Sequence, residues 1–469
     1  MNKRFIKAVA LILCIVLSGQ IHAQDKPQAS LTLDECLQIA LSDNPTVKVA
    51  DMEVSRMDFS KKEVIGQLLP NIDFGGQYSR TLAKQTMYMN FGGFGNVGGD
   101  DDSSDDSAAD KEDSGDGGIK MGLDNSWSLG FQASMPIIAP QLWKTLQVSD
   151  AQIARSLEAA KQSRQSLVNQ VKAAFYALLL AEDSQKVIKE SYDMAALTHS
   201  IYEKQYAAGA ASDYDVLRTS VAMKNIEPQL LEAEIAIKRA RLQLQVLMGM
   251  DDSVDIHAND RLSNYEQTMY GETLSINPDF SNNSDIRLMD MDYEIMKKNV
   301  TIQKLAYVPT IALTANYNWT AMNNGSPFSN LRWNPYSTVG VSLSVPIFSG
   351  GQRWNKLKQA KIQADELSWQ RENLHRTISM QTTLAIDNIK INVKQIASCS
   401  ESMAQADRAH SIMEKSFEIG AASYLELRDS ELALTQSRLA YYQAIYNYLV
   451  ANSELELLLG NAPIDKYTK

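Results

Sequence analysis

The chain has 469 residues, 44% hydrophobic and 22% charged, with 45 basic against 56 acidic side chains and a formal net charge of −11. An acidic balance of this kind excludes a nucleic-acid binder, which needs Lys and Arg to neutralise phosphates. Three cysteines make no disulfide framework, and five scattered histidines show no metal-ligand spacing.

Residues 1–23 read as a secretory signal. Lys3, Arg4 and Lys7 form the basic start, Ala8 to Leu17 the apolar stretch, and Ile21-His22-Ala23 the cleavage site. Cys14 lacks the preceding small residue of a lipoprotein signal, so no lipid anchor is expected. Without the leader's three cations the net charge becomes −14. No later stretch is long and apolar enough for a membrane-spanning helix, so the expectation is an exported chain that is not a helical membrane protein. Cys36 and Cys399 remain, and they are expected to be free, packed thiols.

Leu31 to Leu41 reads as a helix after a loosely ordered start. Asn44-Pro45 breaks it, and a second helix runs to about Gln67. Then the period changes to two: Ile72, Phe74 and Tyr78 alternate with Asn71, Asp73, Gln77 and Ser79, which predicts a strand over 71–80. Residues 81–125 are a loop rich in Gly, Asp and Ser, with nine acids and one lysine between 100 and 116. A calcium site is conceivable there, but the spacing matches no known calcium loop, and a solvated, disordered loop is expected. A second strand follows over 126–136, with Trp127, Leu129, Phe131, Ala133 and Met135 on one face. Pro136 is expected to end it, because proline cannot donate to a ladder.

Residues 142–207 contain neither proline nor glycine, and residues 213–248 contain only Pro228. A long helix, a glycine turn at 207–213 and a shorter return helix are predicted. Leu146, Ile153, Leu157, Ala160, Leu167, Val171, Ala174, Leu178, Ala181, Ile188, Tyr192 and Ala195 follow a three–four spacing, a narrow seam that packs helix on helix. The polar stretch 251–284 reads as an irregular inter-repeat segment, and residues 285–306 as a helix.

The pattern then repeats. Strands are predicted over 310–319 and 337–346, and residues 352–417 and 424–459 are again free of proline and glycine around a tip at 418–424. Glu-Lys, then Gly-Ala-Ala-Ser, occurs at both tips, with Gly209 and Gly420 lying 211 residues apart. The unit is half the chain, so the predicted domains are a duplicated pair, 24–250 and 285–461, followed by a tail at 462–469. In each tip glycine tolerates left-handed geometry, while Ser212 or Ser423 caps the next helix.

Each half supplies two strands with one apolar and one polar face. That alternation suits a transmembrane barrel, although a soluble sandwich alternates too. The export signal and the shortage of other strands favour the barrel. Four strands cannot close a barrel, and open edges are forbidden in lipid. Three copies would supply twelve strands, so the predicted class is mainly α with membrane β: long coiled helical hairpins forming a tunnel, plus four strands per chain of a trimeric barrel.

The two-fold repeat, Leu68-Leu69-Pro70 before the first strand, Val345-Pro346-Ile347-Phe348-Ser349-Gly350-Gly351 after the fourth and the paired Gly-Ala-Ala-Ser tips resemble the TolC-type outer membrane efflux proteins over about residues 31–460. The resemblance implies a homotrimer in the outer membrane of a Gram-negative bacterium, with most of its mass in the periplasm. It also implies a periplasmic adaptor, an inner-membrane pump such as an RND transporter, and no cofactor. The tips Gly209, Ala210, Ala211, Ser212 and Gly420, Ala421, Ala422, Ser423 would dock the adaptor. Glu426 and Asp429 match acidic positions lining the family's constriction, where a trimer makes carboxylate rings that attract cations. Asp215 matches a position that ties the closed hairpins together. The basic residue usual after the second tip glycine is absent: Ala421 and Ala422 stand there, with Arg218 and Arg428 near by. All three acids would also complement a helix dipole. The outlet of a type I protein secretion system is the alternative within transport, and a periplasmic coiled-coil scaffold or adhesin the alternative outside it. No nucleophile–base pair, phosphate loop or metal cluster suggests an enzyme.

Overall fold

A computed structural model describes residues 28–88, 118–251, 254–266, 279–464 and 466. The predicted signal and the acidic run at 100–116 lie outside the described residues. The chain divides into two compact units, one of residues 59–150 and 296–363, the other of the remainder.

The first of these units holds the sheet. Its strands are β2 (Asn71–Arg80), β5 (Asn125–Ile138), β7 (Thr310–Asn323) and β8 (Asn334–Ser344), antiparallel and in the order β2-β5-β7-β8. The register carries the period-two pattern across all four. Phe74 lies beside Phe131, Phe131 beside Tyr317, and Ala315 beside Val339, so one face is apolar. On the other, Asp73, Gln132, Asn316 and Thr338 form one row. Aromatic pairs tie the apolar face, with ring centroids 4.9 Å apart for Phe74–Phe131 and 4.4 Å for Tyr78–Trp127. Ile72, Phe74, Val339, Val341 and Leu343 are nonetheless exposed. Among the described residues no strand pairs with the outer edges of β2 and β8.

Four features depart from the sequence reading. β8 runs over Asn334–Ser344 rather than 337–346, ending short of Pro346, which cannot donate to a ladder. β5 runs past Pro136 to Ile138, with a register shift between those residues. Its pairing with β2 stops at Ser134, so the proline sits where only β7 remains alongside and one missing donor is tolerated. β7 extends to Asn323 because the buried Asn125 amide accepts from Tyr78 (2.8 Å) and donates to the Gly325 carbonyl (3.0 Å), holding the strand ends together. The stretch read as loop from residue 81 begins and ends in strands, β3 (Gln85–Tyr88) paired antiparallel with β4 (Gly118–Met121).

The remaining long elements are helices, four of which run from one unit into the other along the chain. α1 (Leu33–Asp43) starts at Thr32 with a capping box closed by Glu35. α2 (Pro45–Gly66) enters from it. α3 (Pro140–Ala207) and α4 (Asp213–Met248) form the first hairpin, with 68 and 36 residues. A short α5 (Leu262–Tyr265) and α6 (Ser284–Leu305) follow. α7 (Gln352–Glu418) and α8 (Tyr424–Leu459) form the second hairpin, with 67 and 36 residues. At 1.5 Å per residue the long arms rise about 100 Å. β1 (Gln28–Leu31) pairs in parallel with β6 (Asp255–Ala258), so part of the segment read as irregular is a strand.

The core joins Leu37 of α1, Phe175, Leu178 and Leu179 of α3, Leu244 and Met248 of α4, Ile389 and Ile396 of α7 and Ile445 of α8. Half of the predicted seam of α3 is buried, Ala160, Leu167, Val171, Ala174, Leu178 and Ala195, but Leu157 is 55% exposed. Its neighbour Glu158 turns inward instead, paired with Arg287 at 3.1 Å and accepting from Ser284 at 2.9 Å. A buried carboxylate with those partners outweighs the apolar side chain at this turn. Cys36 is buried and its thiol pushed up to about 12, chiefly by burial; both it and Cys399 are free.

Candidate functional site

Both hairpins turn by the same bonds. Gly209 and Gly420 take φ of 74° and 76°, a region that side chains disfavour. The Ala210 amide donates back to the Gln205 carbonyl (2.7 Å) and the Gly209 amide to Tyr206 (2.9 Å). The Ala421 amide likewise reaches Ser416 (2.7 Å) and the Gly420 amide Phe417 (3.0 Å). These are two Schellman closures, each satisfying the last carbonyls of a long arm. The return helices then open with capping boxes. Ser212 caps α4 and Ser423 caps α8.

The sequence-named acids sit in this frame. Asp215 accepts from the Ser212 hydroxyl (2.6 Å) and amide (3.2 Å). Glu426 accepts from the Ser423 amide (2.8 Å) and hydroxyl (2.8 Å). Those hydrogen bonds hold both carboxyls below the usual range, the hydroxyl leading for Asp215 and the backbone amide for Glu426. Glu426 and Asp429 are both exposed, one turn apart on α8. Asp215 is half-buried and its hydrogen bonds stay on its own helix. Gly209, Ala210, Ser212, Gly420, Ala421 and Ser423 are exposed, whereas Ala211 and Ala422 are half-buried.

The contact between the hairpins is made by other residues. Tyr202 of α3 meets Tyr424 of α8 edge to face, with centroids 5.7 Å apart. The Arg218 guanidinium of α4 lies over the Tyr424 ring at 4.8 Å, and its Nη2 is buried without a hydrogen-bond partner. A cation over a ring in this half-buried setting is an attractive contact.

A second pair of equivalents lies just inside the tips. His199 Nδ1 is 3.0 Å from the Thr219 hydroxyl, and His410 Nδ1 is 3.2 Å from the Ser430 hydroxyl. Each hydroxyl donates to a backbone carbonyl of its own helix, so each accepts from its histidine, which fixes the proton on Nδ1. These histidines are separated by the same interval as the tip glycines; that interval, rather than metal spacing, was the signal in the sequence. Beside Ser430, burial and the neighbouring Glu414 push Glu431 up to about 7. Among the described residues no cluster of His, Cys, Asp or Glu can hold a metal ion.

The sequence profile of outer membrane efflux proteins matches residues 36–250 and 280–461. The chain belongs to the outer membrane efflux protein family. This efflux channel chain is 18% identical to the outer membrane protein TolC of Vibrio cholerae, over 71% of this chain and 76% of that one. It is 24% identical to the cobalt-zinc-cadmium resistance protein CzcC of Cupriavidus metallidurans, over 62% and 67%. The fold superposes on the Campylobacter jejuni CmeC outer membrane channel with a TM-score of 0.69 at 17% identity, covering 95% and 91% of the two chains. The efflux channel resides in the outer membrane, with sheet and long hairpins as the resemblance led one to expect. Among the described residues no helix is long and apolar enough to cross a membrane.

Proposed function

We propose that three copies of this chain form the exit duct of a tripartite efflux system, passing small molecules from an inner-membrane pump and a periplasmic adaptor to the exterior. The observation that carries the reading is the four-stranded sheet, whose two outer edges have no paired strand among the described residues and whose exposed face is apolar. Unpaired backbone groups are costly in hydrocarbon, so β2 of one copy pairs with β8 of the next until the wall closes. Three chains give twelve strands, an even number within the range of outer-membrane barrels. The work is conduction rather than catalysis. The family's efflux description favours small-molecule export over protein secretion.

Glu426 and Asp429 serve as the cation-binding gate, since threefold symmetry turns each into a ring of carboxylates. The Ser423 amide and hydroxyl hold the Glu426 carboxyl below its ordinary value, which favours its charged form. The paired tips dock the adaptor's helical hairpins through their small residues. Asp215 fixes the start of α4, and through it the placing of Arg218 against Tyr424. Planar-bilayer recording of the detergent-purified protein tests the duct: stable, uniform conductance steps are expected, and material that never inserts would overturn it. Cysteines placed at Ala211 or Ala422 should crosslink to a co-expressed adaptor, and failure at every tip position would refute the docking.

A further inference from the structure

The junction between the sheet and α7 is basic in a chain that is acidic elsewhere. Arg353, Lys356, Lys358 and Lys361 occupy the first turns of α7, and the first carboxylate is Asp365. The equivalent start of α3 keeps the tryptophan, Trp143 matching Trp354. It has a single lysine, Lys144, and its Asp150 is paired with Lys61 at 2.7 Å. The strand-to-helix turn common to both halves therefore does not require the added cations.

Two of them have a place to act. Arg353 and Lys356 line a recess of about 340 Å³ together with Gln141, Gln303, Thr310 and Ser344. No carboxylate lines it, and neither cation has an ion-pair partner among the described residues. Thr310 and Ser344 share the sheet face of Thr314, Asn316 and Ser342, so the recess lies on the polar side rather than the apolar one. Two cations, amide groups and hydroxyls with no competing acid form a donor set suited to oxyanions. A guanidinium offers a fork of N–H groups and an ammonium a point charge.

We propose that this recess is a binding subsite for an oxyanion group (carboxylate, phosphate or sulfonate) carried by a permeant along the polar face. The subsite rests on the trimeric duct described above, which repeats it in each copy. It gives the second half of the chain a site of opposite sign to the carboxylates at Glu426 and Asp429, so a permeant bearing an acid group meets an attractive station there.

The test uses the full-length channel in planar bilayers of neutral phosphatidylcholine, with inorganic tripolyphosphate as the blocking probe. The wild type should be blocked. Arg353→Gln/Lys356→Gln should raise the half-blocking concentration about tenfold, the ratio expected from losing charge-assisted hydrogen bonds. It should also move the reversal potential in a salt gradient toward cations. Lys358→Gln/Lys361→Gln, outside the recess, should leave the half-blocking concentration unchanged. Lys356→Gln alone, an exposed helix-surface change, carries the same test where the pair fails to assemble. Equal block of wild type and recess variants overturns the subsite. Loss of their difference in phosphatidylglycerol bilayers assigns the recess to a lipid headgroup and overturns the permeant reading. Absence of any wild-type conductance defeats the duct first, and the subsite with it.

Discussion

At Gly209 and at Gly420 the chain makes one turn twice, with the same amide closures, the same serine caps and the same histidine–hydroxyl pair behind them. At other equivalent positions the two tips part. Arg218 stands where the second hairpin has Asp429, Ser220 where it has Glu431, and Asp213 where it has Tyr424. Positions that satisfy backbone groups have kept their chemistry because an unpaired helix end is costly whatever the helix does. Positions free of that duty have taken different charges, and at one of them, Arg218 and Asp429, opposite ones. The clearest difference is one of charge: the first tip presents the Arg218 guanidinium to Tyr424, where the second presents the Asp429 carboxylate to the solvent.

The largest expected effect comes from removing the two exposed carboxylates of the second tip. Glu426→Gln/Asp429→Asn should abolish the block of single-channel conductance by trivalent cations, whereas Asp215→Asn on the first hairpin should leave it in place. Unchanged block in the double variant would show that the second tip is no gate.

Glu431 supplies a pH effect that the first hairpin lacks at the equivalent position, Ser220. Its folded pKa is raised from 4.5 to about 7, chiefly by burial and then by Glu414. A group raised in this way favours the fold fully below its unfolded value, and that contribution is lost as pH climbs through about 7. The thermal midpoint of the detergent-solubilised wild type should therefore fall across that window, and Glu431→Gln should flatten the fall. A parallel decline in the variant would place the titration elsewhere.

The two glycines sharpen the equivalence. Gly209→Ala and Gly420→Ala should each cost about 1 kcal/mol from the left-handed backbone, and should cost it equally. Open space surrounds both positions, so no clash confuses the result. Unequal shifts in thermal midpoint would mean that the tips are not the same turn. The smallest effect is the link between hairpins. A double-mutant cycle on Arg218→Gln and Tyr424→Leu should return a coupling of about 0.5–1 kcal/mol. Zero coupling would show the ring and the guanidinium to be neighbours only.

The sequence announced the architecture because long helices must exclude proline and glycine, and half-exposed strands must alternate. Helices of 68 and 67 residues and the strands of one sheet follow from those two rules. Four-residue strands are too short to show a period, and β1, β3, β4 and β6 escaped for that reason. Pro136 misled because tolerance of proline depends on which neighbour a strand has lost. Leu157 misled because Glu158 finds Arg287 and Ser284 only when α6 is in place. In the tips the acids were legible from their spacing after each glycine. Their tie to Ser212 and Ser423 follows from the capping pattern, but Tyr202, Arg218 and Tyr424 come from three helices and meet only in the folded chain.

The closing of the wall by like copies is tested most directly by native mass spectrometry of the detergent-purified protein. The account predicts a species of three chains that needs detergent to stay in solution. A stable single chain in detergent-free buffer would contradict it.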